Sequence, residues 1–414
     1  VLIQFSVENY LSYKQRNTLS MVASSDKTHL ERNGFQQKNP AQPDLIKSAV
    51  IYGPNASGKS NLLEGLRFMK MFVLNSAMDV EGERQKKVRP FLLDKACVAQ
   101  ATEFEILFAN PVGYRYGFAL FEGRVMKEWL FSTPKNRESK WFTRSFNPES
   151  NTYDYYWNPD FRGEKRTYEA TTRANSLLLS NAIQLNNKPL EPVYRWFSDT
   201  LRVVDFARGL MEGFSIKSLG NDKTRITNFL NAADLSINEI QVREKEITDD
   251  LFIKGAPEEV KRDLLGEKMQ SVDLVHGVGN TSFRLPLEED SHGTRRLFSL
   301  AGPILDVFDN NRVLVVDELH RSLHPLILRF LVDMFHQKGS GAQLIFTTHD
   351  PSILDQDVFR RDQVWFVEKD EGLASELFPL TDFHPRKSEA IGKGYLNGRY
   401  GALPFVDEAK INGK

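Results

Sequence analysis

Between Gly53 and Ser60 the chain reads G-P-N-A-S-G-K-S, which places two glycines, a lysine and a hydroxyl at fixed spacing. This is the G-x-x-x-x-G-K-[ST] pattern of a phosphate-binding loop. Gly53 and Gly58 permit the tight backbone in which successive N–H groups face one anion, and the start of a helix adds its positive dipole end. Asn55, Ala56, Ser57, Gly58, Lys59, Ser60 and Asn61 are therefore the candidate nucleotide contacts. Lys59 is expected to reach the β- and γ-phosphates of ATP, and the Ser60 hydroxyl to bind Mg²⁺.

Further along, "VLVVDE" (313–318) is an apolar run ending in two acids. A carboxylate at a strand's carboxyl end can hold Mg²⁺ through water, the work expected of Asp317. Glu318 is placed to polarise a water for attack on the γ-phosphate; the plainer reading is a solvated acidic pair closing a strand. His349 follows the apolar run "QLIFTT" and can hydrogen-bond a γ-phosphate oxygen or the attacking water, although a histidine ending a strand is often structural. Ser291 and Gly293 in "EEDSHGTRRL" precede a helix expected to begin near Thr294. That second helix start suits the nucleotide of another subunit. Its plain alternative is an N-cap.

Such residues need strands and helices to hold them. "AVIY" (49–52) reads as a buried strand, and the residues from Ser60 carry apolar side chains at helical spacing. "LIQFSVENYLSY" alternates like a strand packed on one face, and 102–132 alternates in three bursts split by "NPVG" and "EG", an antiparallel meander. Helical spacing runs through 171–270, including "APEEVKRDLLGEKM" (256–269). Strands then alternate with helices again, which predicts a parallel sheet. The expected fold is α/β, with the domains bounded as follows: 1–85 a first half with the phosphate loop, 86–170 an antiparallel β lobe, 171–285 a mostly helical insertion, and 286–414 a second half.

Composition narrows the function classes. Lys and Arg (54) balance Asp and Glu (55), so nothing global points to nucleic acid. One cysteine, Cys97, rules out an intrachain disulfide framework or a cysteine-only metal site. With no signal peptide and no run of about 18 apolar residues, the expectation is a cytoplasmic protein without a membrane partner.

In chain order, the loop at 53–60, the segment at 290–294, the acids at 313–318 and His349 resemble the ABC-type ATPase head of the SMC, RecF and OLD families. In that resemblance they stand as Walker A, signature, Walker B and switch histidine, and "LHRSLHP" after Glu318 stands as the D-loop. "DSHGT" keeps only the serine and one glycine of the usual L-S-G-G-Q, and Gln85 is a Q-loop candidate by position. A closer resemblance covers most of the chain. "FSVENYLSY", "YGPNASGKSNLLEGL", "EEDSHGTRRLFSLAGPI", "VVDELHRSLHPLI", "TTHDPSIL", "RRDQVWFVEKD" and "YLNGRYGALPFV" are similar to the RloA/AbiL-type ATP-binding proteins linked to abortive infection. Similar ATPases are the sensor half of two-gene anti-phage systems such as PARIS and Septu. The resemblance implies an ABC-type head that binds and hydrolyses ATP with Mg²⁺ as a molecular switch. It would form head-to-tail homodimers or larger homo-oligomers and hold or license a separate toxic effector, a Toprim-like nuclease.

Three rivals remain. A RecF-like repair ATPase would present a basic face, for which "RQKK" (84–87) and Arg295–Arg296 are the local candidates. A single-chain OLD nuclease would use "VWFVEKDEG" as the opening of a Toprim domain, yet only about 45 residues follow Lys369. Glu368 and Asp370 read instead as the end of an edge strand and a turn. A transporter ATPase fits poorly with the long insertions and the missing L-S-G-G-Q.

Overall fold

The computed structural model describes residues 1–35, 43–80, 88–133, 137–204, 212–249, 265, 268–337, 339–386 and 389–404. Gln85, the "RQKK" cluster and most of the expected helix at 256–269 lie outside the described residues. The chain divides into one unit of Val1–Val204, Asn310–His320 and Leu331–Lys414 and a second of Asp205–Asp309 and Arg321–Phe330.

The first unit is built on two sheets. β1 (Leu2–Glu8) and β2 (Asn17–Ser20) pair antiparallel, and a small ladder of β3 (Gly34–Phe35) and β4 (Leu45–Ile46) follows. β5 (Ser48–Tyr52) is buried at every position, as its apolar run Ala49–Tyr52 requires, and the buried Ser48 hydroxyl meets His336. The expected meander is present as β6 (Thr102–Ala109), β7 (Gly113–Phe121) and β8 (Arg124–Thr133), extended by β9 (Ser139–Asn147) and β10 (Thr152–Trp157). These join β1 and β2 in a seven-stranded sheet ordered β10-β9-β8-β7-β6-β1-β2.

After a short helix at Leu178–Gln184 the chain enters β11 (Leu201–Val204). Three strands, β12 (Glu239–Glu246), β13 (Lys268–Val278) and β14 (Thr281–Pro286), belong to the second unit. Four more return to the first: β15 (Val313–Val316), β16 (Gln343–Thr347), β17 (Val364–Lys369) and β18 (Ser375–Pro379). The six-stranded sheet runs β11-β15-β16-β5-β17-β18, parallel except for the β17–β18 pair.

A helix at Lys59–Asn75 lies in the core shared by the two sheets. Leu62, Leu66, Met69 and Val73 recur at helical spacing and are buried. They share one apolar cluster with Val313 and Ile345 of the parallel sheet and with Phe104 and Phe118 of the antiparallel one. Phe68 stands 5.2 Å from Phe104 and Phe72 5.2 Å from Phe118, ring centre to ring centre. Burial of each such ring stabilises by about 1.5–3 kcal/mol, so the helix that begins at the phosphate loop is anchored along its length.

The stretch 171–285, read as mostly helical, divides in the structure. Helices persist to a long segment at Glu212–Ala232, while 239–246 and 268–286 form the antiparallel β12-β13-β14 sheet. Ile240 faces Leu274 and Val242 faces Val272 across the ladder. Alternation of polar residues with Ile240 and Val242 is hidden among helix-favouring Glu, Lys and Gln. In the second unit the helical segment Glu212–Ala232, kinked where Asp222 leaves helical geometry (φ −157°), packs on a helix at His292–Asp309. Ser215 Oγ accepts the Gly302 N–H at 3.0 Å, and Arg225 grips the Asp309 carboxylate with contacts of 2.7 and 2.6 Å.

Candidate functional site

Parallel strands end on one edge of their sheet, and β5, β16 and β15 are consecutive neighbours there. Their carboxyl ends lead into Gly53–Lys59, Thr348–His349 and Asp317–Glu318 respectively, so three segments distant in sequence converge.

At the loop after β5, Gly58 has φ +115° and Gly53 φ +157°. A Cβ on Gly53 would lie 2.3 Å from the Val367 carbonyl oxygen, and one on Gly58 2.1 Å from Ser375 Oγ. Only glycine fits either place. The helix begins at Lys59 with no side-chain cap, so the N–H groups of its first turn have no intrahelical acceptor. Ser57 Oγ is buried without a hydrogen-bond partner among the described residues, while Asn55, Ala56 and Ser60 are exposed at the loop mouth. Such a cradle fits an anion.

Lys59 Nζ donates to the carbonyls of Gly53 at 2.7 Å and Pro54 at 2.9 Å. Burial lowers the pKa of its ammonium, opposed by the negative charges of Asp317 and Glu318. The lysine and the two acids thus share one electrostatic environment. Asn61 differs from the simplest reading: its side-chain amide donates to Ser12 Oγ at 2.8 Å, leaving its backbone N–H as the group on the first turn. Ser12 Oγ also lies 2.7 Å from the Ser375 hydroxyl, which donates its proton to the Ser57 carbonyl. These two serines brace the loop from behind, and no motif in the sequence marks them.

The acids are set by a residue that motif reading passes over. Thr347, fully buried at the end of β16, donates to Asp317 Oδ1 at 2.5 Å and accepts the Glu318 N–H at 2.7 Å. Glu318 itself has φ +49°, and the next N–H, of Leu319, bonds to the Thr347 carbonyl at 3.1 Å. The signal was present in "QLIFTT", where a hydroxyl interrupts an apolar strand. His349 is exposed and lines a cleft of about 610 Å³ with Gly53, Pro54, Asn55, Tyr395 and Leu403. Its Nε2 lies 3.0 Å from Nε2 of His320.

Ser291 and Gly293 lie in the second unit. The helix begins at His292, two residues before the expected Thr294, and the Ser291 hydroxyl accepts the Thr294 N–H at 3.1 Å as an N-cap. A Cβ on Gly293 would come within 2.9 Å of the Ser322 carbonyl oxygen, so the glycine permits close approach of the D-loop-like segment. Arg295 pairs with Glu212 at 3.2 Å and Arg296 is buried, so neither belongs to an open basic face. Glu368 and Asp370 also have local work. Glu368 accepts the Ala402 N–H and Asp370 the Ala374 N–H, in a turn. Their strand, β17, is one place in from the edge, which is β18.

A phosphate loop after an interior parallel strand, with acids on the next strand but one, defines a P-loop ATPase. Residues 48–355 match the family described as "AAA domain, putative AbiEii toxin, Type IV TA system", and the chain belongs to that family. No curated protein matches. Three SMC heads are among the solved structures similar to this chain. One, bound to the C-winged helix domain of ScpA, is 14% identical over 91% of this chain and 97% of its own, with a TM-score of 0.41. The SMC head domain from Thermotoga maritima is 12% identical over 91% and 98%, TM-score 0.37. A third, with an extended coiled coil and bound to the C-terminal domain of ScpA derived from Pyrococcus furiosus, is 13% identical over 91% and 96%, TM-score 0.41. Among the described residues no helix is long and apolar enough to cross a membrane.

Proposed function

We propose that this ATPase is the switch of a bacterial abortive-infection system, in which ATP-dependent head-to-tail pairing of two copies holds or licenses a separate toxic nuclease. The observation that carries the ATP chemistry is the joint placement of Lys59, Asp317, Glu318 and His349 at the ends of neighbouring parallel strands. Lys59 meets the β- and γ-phosphates, with backbone N–H groups of residues 55–61 around them. Ser60 and Asp317 would hold Mg²⁺, which would supply charge neutralisation to the phosphates. Glu318 takes the attacking water's proton and His349 contacts the γ-phosphate. Ser291 and Gly293 complete the site of the other subunit.

The defence role is supported by the family description, which names a toxin of a type IV toxin–antitoxin system. A nuclease on a second chain is favoured because Glu368 and Asp370 are occupied by backbone N–H groups of a turn and a following loop. The DNA-repair alternative loses Arg295 and Arg296 as contacts, since one is paired and the other buried.

The test is purification with the products of neighbouring genes, with ATP and without nucleotide, followed by phage challenge of cells carrying the set. A nuclease that co-elutes in one nucleotide condition, and protection lost with Lys59→Ala, is the expected result. Protection that survives Lys59→Ala, or duplex DNA as the sole partner retained, would overturn the reading.

A further inference from the structure

Two histidines face each other beside the acids. His320 Nε2 and His349 Nε2 are 3.0 Å apart, with ring centres 3.9 Å apart and planes inclined at 67°. His320 is half-buried and His349 exposed. The contact is built into the strand ends. His320 follows Leu319, whose N–H bonds to the carbonyl of Thr347, and His349 lies two residues beyond that same threonine. Both short segments are therefore tied to one point, the backbone of Thr347.

Facing ring nitrogens share a single proton: one Nε2 donates and the other accepts, and a neutral acceptor ring carries its own proton on Nδ1. While His349 Nε2 is turned to His320 it cannot also donate to a phosphate oxygen. We propose that His320 is a positioning residue that competes with the γ-phosphate for Nε2 of His349, so that nucleotide binding must take His349 over from His320. This rests on the reading of His349 as a phosphate contact. The same contact couples the acid-bearing segment to the histidine, because His320 lies only two residues past Glu318.

Equilibrium binding of a fluorescent, non-hydrolysable ATP analogue to the full chain tests this. A net hydrogen bond of ordinary strength sets the scale, so His320→Ala should tighten binding about two- to tenfold. His320→Gln puts an amide near the position of Nε2 and should stay close to wild type. In a His349→Ala background, His320→Ala should change nothing. Unchanged or weaker binding in His320→Ala, or the same shift with and without His349, would overturn the assignment. Lys59→Ala measured alongside separates the two levels of the argument. If it abolishes binding while the histidine cycle is additive, the ATP site stands and the competition does not. If it binds normally, both fall.

Discussion

The Thr347 hydroxyl bridges two consecutive residues of the acid motif, donating to Asp317 Oδ1 at 2.5 Å and receiving the Glu318 N–H at 2.7 Å. Loss of a buried hydrogen-bonding group costs about 1–3 kcal/mol. Thr347→Val keeps the shape and removes both bonds. It should lower the unfolding free energy by that amount and reduce ATP turnover at least tenfold (roughly, as one unit of 1.36 kcal/mol in the barrier). Denaturant titration and steady-state phosphate release read the two effects separately. A variant with wild-type turnover would show that Asp317 is held well enough by other contacts.

Lys59→Ala and Glu318→Gln should divide binding from chemistry. The first removes the charge aimed at the phosphates and should abolish nucleotide binding. The second keeps shape but not basicity, so ATP should still bind while turnover falls about 10²–10⁴-fold. Any ATP-dependent assembly should persist in Glu318→Gln, as seen by size-exclusion chromatography with light scattering. Near-normal turnover would move the base to another residue.

If the active site is shared between two copies, Lys59→Ala and Ser291→Arg should each be inactive alone and recover activity when mixed. Random exchange leaves one intact site in half of the dimers, so recovery should be about a quarter of wild type. Ser291 caps its own helix, so Ser291→Ala, which costs roughly 0.5–2 kcal/mol of cap energy, is the control for stability. No recovery despite proven subunit exchange would mean that the two sites fire only together or that Ser291 does nothing but cap.

Isolated from any partner, the chain should hydrolyse ATP slowly and cleave neither DNA nor RNA in Mg²⁺ or Mn²⁺. Gel assays on highly purified protein check this. Cleavage that disappeared on replacing Glu368 or Asp370 would place a nuclease on this chain after all.

Stability should fall in mild acid because of His336. Its Nε2 contacts Ser48 Oγ at 2.8 Å, and burial first, then the charges of Arg32, Lys47 and His29, lowers its pKa to about 3. In the unfolded chain the imidazole titrates near its ordinary value, so between about 6.5 and 3 the unfolded state binds more protons. The contribution is complete above that window and is lost as pH falls through it, by up to about 2 kcal/mol at pH 5. Urea midpoints at pH 7.5 and 5 should differ, and His336→Gln should shrink the difference.

The local features of the site were legible in the sequence because each depends on its own neighbours. The glycines of 53–60 demand a tight loop, and apolar runs ending in "DE" or "TTHD" announce strands with polar termini. Those short-range preferences also set the helix from Lys59 and the meander of the β lobe. The three-stranded sheet was not legible, because its charged alternating strands look helical until β13 supplies the strand with which Ile240 and Val242 pair. Strand order was beyond reach for a related reason. Ala49 pairs with Ile345 and Val50 with Val364, contacts between segments about 300 residues apart that no local pattern encodes. That order, with β16 inserted between the phosphate-loop strand and the acid strand, brings Thr347 onto Asp317 and Glu318 and His349 against His320. Sequence by itself determined the candidate groups and the local loop and strand that carry each; the long-range pairing of parallel strands decided which of them meet, since only closure of the sheet sets the distances between its ends.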